Sequence, residues 1–96
     1  MNTGSGTEAN RNRDEIDWLR GRIDAVDSTV IDLLRRRREL SAQVQGLRTG
    51  EGGDRIDPGR EEFVRNRYRE ALGDGGTDLA ATVLRLCRGS AGGRDD

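Results

Sequence analysis

Apolar residues recur at Ile16, Leu19, Ile23, Val26, Val30 and Leu33, and again at Leu40, Val44 and Leu47. Steps of three and four form the seam of a helix that lies along another helix. They predict one long helix from Asp14 to Arg48, with Asp14 and Glu15 suited to its positive end. The seam position between Leu33 and Leu40 that should be apolar is Arg37. A guanidinium on a buried line is costly unless it meets an anion.

The rest of the chain alternates between breaks and shorter periodic runs. TGEGGDRIDPG cannot continue a helix, so residues 49–56 read as an ordered or mobile loop. Asp57-Pro58 then signals a second helix, with Asp57 as N-cap and Pro58 in the first helical position. This helix runs to about Leu72 and carries an inner stripe of Val64, Tyr68 and Leu72, supported by Phe63 and Ala71. GDGGTD reads as a turn, with Thr77 as N-cap of a third helix that Gly89 can end near Arg88. Leu79, Ala80, Ala81, Val83, Leu84, Leu86 and Cys87 make that helix apolar nearly all round, and so well buried. Residues 1–13 and 90–96 lack periodicity and read as a disordered and a flexible tail around a helical domain of residues 14–89. The expected fold class is all-α, with one long and two shorter helices.

Composition narrows the chemistry. Only 31% of the 96 residues are hydrophobic, and a chain this small buries a modest share of its surface alone. A helix of about 35 residues spans ~52 Å, longer than a compact domain of this size is wide. Much of the seam must therefore pack on another chain, and an intertwined homodimer is the expected form. Charged residues are 36% of the chain but nearly cancel, to a net charge of −1, unlike the basic excess of nucleic-acid or membrane-surface binders. With no histidine and one cysteine, Cys87, a His/Cys zinc site, a histidine-dependent triad and an intrachain disulfide are excluded. No apolar run approaches a signal peptide or a membrane span, which leaves the cytoplasm as the default.

The basic residues suggest a composite anion site. Arg37 and Arg48 are eleven positions apart, about three turns, so they point within roughly 20° of each other. Their Cα atoms would be ~16 Å apart, a span over which two inward-leaning side chains could grip a small anion. Arg60 and Glu61, at the start of the second helix's inner stripe, could close its side. Arg20 shares an edge with Arg48 but lies ~25 Å from Arg37 along one helix. Two long helices running antiparallel would instead place Arg20 of one chain near Arg37 of the other.

LRGRIDAVDSTVIDLLRRRRELSAQVQGLR, a gap of eleven residues, and then Arg60-Glu61 resemble the all-helical (AroQ-type) chorismate mutase family. The resemblance covers roughly Asp14 to Gly89, and DLAATVLRLCRG is similar to the small actinobacterial intracellular subclass. It implies interleaved long helices, with Arg20 donated to the opposite subunit's site to hold a substrate carboxylate. Arg37 is the same-chain arginine for the other end of the dicarboxylate. Arg48 stands where many relatives have lysine, as the cation beside the breaking ether oxygen. Asp57 and Glu61 match positions near the ring hydroxyl, and Arg60 flanks the pocket. Arg37, Arg48 and Glu61 are then the catalytic set, with no metal and no cofactor.

The implied reaction is the pericyclic conversion of chorismate to prephenate in aromatic amino-acid biosynthesis. Two alternatives accompany it. One is a 4-amino-4-deoxychorismate mutase of an antibiotic pathway, and the other is a weak helical module that binds, and is activated by, DAHP synthase. The family often supplies a hydroxyl and a glutamine, four residues apart, from its last helix. Ser90 can be the hydroxyl here, but Arg94 stands where the glutamine would be.

Overall fold

The computed structural model describes the backbone of residues 3–50 and 56–93, and the side chains of residues 8–48 and 56–88. Three helices account for nearly all of it: α1 (Thr3–Gly50), α2 (Pro58–Leu72) and α3 (Asp74–Gly93). No strand occurs among the described residues. The expected loop at residues 49–56 falls largely on residues 51–55, outside the described residues. The chain divides into an N-terminal unit ending at Leu33 and a C-terminal unit beginning at Leu34.

The N-terminal unit consists of the first part of α1. The helix starts at Thr3 rather than near Asp14, so most of the stretch expected to be a disordered tail is helical, and the first turn carries no acidic residue. Glu8 to Arg13 contain neither proline nor a β-branched residue, and a nucleated helix gains one hydrogen bond per residue added. Within this unit Ile16, Leu19, Ile23, Val26, Val30 and Leu33 are each at least 44% exposed. The apolar seam read from the sequence is therefore uncovered in the single chain.

The C-terminal unit holds the core. Asp57 is extended (φ −110°, ψ 98°) and caps α2, its side chain accepting a hydrogen bond from the Arg60 backbone N–H at 3.1 Å. Pro58 takes the first helical turn, where a missing N–H has no cost. At the other end Gly73 has φ +82°, the one positive φ among the described residues, and its N–H reaches the Arg69 carbonyl at 2.7 Å. A side chain there would be strained, whereas glycine turns freely.

That single residue is the whole connection. α3 begins at Asp74, so the GDGGTD stretch is mostly helix, and Thr77 lies inside α3 instead of capping it. Asp74 supplies the acidic first turn. Gly89 does not end α3 either, because the helix continues to Gly93, into the stretch expected to be a flexible tail. A glycine weakens a helix by about 1 kcal/mol but stops it only where the backbone turns to positive φ.

α2 and α3 form an antiparallel hairpin. Glu61 near the start of α2 meets Arg88 late in α3, while Tyr68 near its end meets Gly76 early in α3. Val64, Ala80 and Leu84 make the buried cluster, with half-buried Tyr68 against it. Val83 and Cys87 are also buried, but Leu79 and Leu86 are exposed. α3 thus buries a stripe in this chain, not its whole circumference as expected. Leu72, expected on the inner stripe of α2, is exposed instead, as are its expected supports Phe63 and Ala71.

Gly76 allows the helices to approach closely. A Cβ at that position would lie 2.7 Å from the carbonyl carbon of Tyr68 and 3.0 Å from Leu72 Cβ. The first of these is backbone and cannot swing aside. Gly76→Ala is expected to destabilise the hairpin by about 1–3 kcal/mol, although alanine is the better helix former. Urea unfolding followed by circular dichroism checks this, with Gly75→Ala, where a Cβ meets nothing within 4 Å, as the comparison.

Candidate active site

The C-terminal unit encloses an open cleft of about 310 Å³, at the small end of the range for ligand pockets. Arg37, Arg48, Asp57, Arg60 and Glu61 all line it. Five residues singled out in the sequence are therefore brought together. The C-terminal part of α1 supplies the two long-spaced cations, and the capped first turn of α2 supplies the other three. Leu40, Val44, Leu84 and Cys87 form an apolar wall. Arg20 lies in the N-terminal unit, is exposed, and is not among the lining residues.

The charged groups have different partners. One Asp57 oxygen caps α2, and the other lies 3.6 Å from Arg48 Nη1. Asp57 is an N-cap and a counterion at once. Glu61 bonds Arg88 through Oε2 and lies 3.8 Å from Arg65 Nη1 through Oε1, with its side chain only 17% exposed. The Arg60 guanidinium sits over the Phe63 ring, 5.2 Å from its centroid, which holds it at the cleft mouth by a cation–π contact. Arg37 is half-buried and, among the described residues, has no ion-pair partner.

The cleft thus presents one half-buried cation with no described counterion and two carboxylates that each already have one. It offers electrostatic grip on an anion. The described residues also contain no group of His, Cys, Asp and Glu able to hold a metal, and no described helix is long and apolar enough to cross a membrane.

A family model described as chorismate mutase type II matches residues 19–88. The chain belongs to the type II chorismate mutase family. Among its relatives, the intracellular chorismate mutase of Mycolicibacterium smegmatis is 46% identical over 81% of this chain and 75% of its own length. That of Mycobacterium tuberculosis is 45% identical, over 81% and 73% respectively. A 4-amino-4-deoxychorismate mutase of Streptomyces venezuelae is more distant, at 32% over 74% of this chain and 69% of its own. Among solved structures, a complex of DAHP synthase and chorismate mutase from Corynebacterium glutamicum, with a bound transition state analog, superposes with a TM-score of 0.75. It is 34% identical and covers 79% of this chain and 92% of the matched one. The all-helical architecture of this chorismate mutase family member agrees with that neighbour.

The sequence reading missed several residues of the cleft. Ser41 and Gln45 line it, and both follow Arg37 at steps of four along the same face of α1. Cys87, expected among the buried apolar residues of the third helix, is buried and also lines the cleft. Arg88 was read only as the end of a helix. Yet it continues the row Ala80, Leu84, and a cation on a buried row is the same sign that singled out Arg37.

Proposed function

We propose that this chain is an intracellular chorismate mutase that converts chorismate to prephenate as a homodimer, without a cofactor. The observation that carries this reading is Arg37, a half-buried cation lining a cleft with Arg48 and Arg60, in a chain of the type II chorismate mutase family. A pericyclic rearrangement needs no proton shuttle or nucleophile. It needs the enolpyruvyl arm held folded over the ring, a positioning contribution, and a fixed cation where negative charge grows on the ether oxygen.

Arg37 holds one substrate carboxylate, and Arg20 of a second copy holds the other. Arg48 faces the ether oxygen, its guanidinium kept in the cleft by Asp57. Glu61 and Asp57 lie toward the ring hydroxyl, and Arg60 flanks the entrance. The uncovered apolar seam of the N-terminal unit supports the second copy, because a contiguous row of exposed large aliphatic residues marks an interaction surface. The higher identity to intracellular chorismate mutases than to the 4-amino-4-deoxychorismate mutase favours chorismate as substrate. The structural neighbour is a complex of chorismate mutase with DAHP synthase, which supports a DAHP synthase as a further partner.

Turnover of purified protein, followed as loss of chorismate absorbance, tests the reading. Chorismate is expected to be consumed in preference to its 4-amino analogue, faster when a DAHP synthase is added, by a protein of twice the 10.6 kDa chain mass in light scattering. No consumption of chorismate in either condition overturns it.

A further inference from the structure

We propose that Arg88 is a positioning residue for this reaction, pairing with Glu61 and holding it aimed into the cleft. The inference rests on the mutase reading above and adds a charged residue from α3 to a site whose charged groups otherwise come from α1 and the start of α2.

Glu61 has the least exposed carboxylate of any described ion pair, and it faces a cleft that must accept an anion. A carboxylate there without a counterion would repel the substrate. Two guanidinium groups offset that charge. Arg65 lies on the same helix, four residues on, at 3.8 Å, and is 36% exposed, an arrangement of small worth. Arg88 comes from 27 residues away, donates directly to Oε2, and is 26% exposed.

Position matters as much as charge. The Arg88 bond occupies Oε2 and fixes the carboxylate plane, while Arg88 itself is not among the residues lining the cleft. It therefore acts through Glu61 and not on substrate. Arg88 stands four residues after Leu84 and eight after Ala80, both buried against α2, so hairpin packing delivers its side chain to the first turn of α2. Because α3 continues to Gly93, Arg88 is held within a formed helix and not at a frayed end.

The test is a double-mutant cycle in kcat and KM for chorismate, using Arg88→Ala, Arg88→Lys, Glu61→Gln and the Arg88→Ala/Glu61→Gln pair. Arg88→Ala is expected to lower kcat/KM by about 10- to 100-fold, the range for losing a hydrogen bond to a charged group. Arg88→Lys should recover most of that loss. In the Glu61→Gln background Arg88→Ala should cost less than about twofold more, because the carboxylate it positions is already gone. Equal losses in both backgrounds, or an Arg88→Ala protein within twofold of wild type, would overturn the assignment. Should Arg88→Ala not fold, the lysine variant decides: a full loss despite retained charge and native circular dichroism also counts against it. An inert wild-type protein would instead sink the mutase reading and this inference with it.

Discussion

Arg37→Ala is expected to abolish nearly all chorismate turnover while leaving the fold intact. The two halves of that expectation have separate grounds. Arg37 has no described ion-pair partner, so its removal leaves no protein charge stranded, and circular dichroism should be unchanged. In the proposed substrate complex, however, the guanidinium faces a carboxylate in a partly dry cleft. Truncating one member of such a pair costs several kcal/mol, so kcat/KM should fall by about a thousand-fold, read from chorismate absorbance. Arg37→Lys should recover only part, since a point charge cannot reproduce a bidentate fork. Turnover of Arg37→Ala within tenfold of wild type would remove Arg37 from the site.

Arg48→Met carries the second large effect, and it should fall on a different kinetic constant. Arg48 is assigned to the ether oxygen, whose charge exists mainly in the transition state. Interactions realised only there raise kcat and leave KM little changed. Removing one fixed group of this kind costs about 10²- to 10³-fold in kcat. The substitution also deprives Asp57 of the cation 3.6 Å away. Asp57→Asn separates the two effects, because an asparagine still caps α2 but no longer pairs with Arg48. A loss confined to KM in Arg48→Met would mean that Arg48 binds the ground state instead.

The three helices and five charged residues of the cleft were legible in the sequence for definite reasons. The long α1 seam has a single period, and Arg37 interrupts it. Asp57-Pro58 has one ready interpretation, and the structure shows that cap with its hydrogen bond to Arg60. These are local signals, each backed by one physical cause. The helix ends were less legible because glycine serves several purposes. Gly73 turns the chain, Gly76 permits contact between helices, and the helix runs on through Gly89. Composition alone does not separate these, since each depends on what the backbone meets in space. Arg88 was hidden for a related reason: its row becomes meaningful only once Glu61 is known to lie opposite.

The one-residue connection at Gly73 has a bearing on how the protein is made. Contacts between α2 and α3 are local in sequence, and such contacts form early because little chain entropy opposes closing the loop. The hairpin is therefore the segment expected to acquire structure first. It would bring Asp57, Arg60, Glu61 and Arg88 together before any encounter with a second copy. On the proposed dimeric reading, assembly then adds the Arg20 guanidinium from the second copy, so dilution should silence the protein well before it unfolds it.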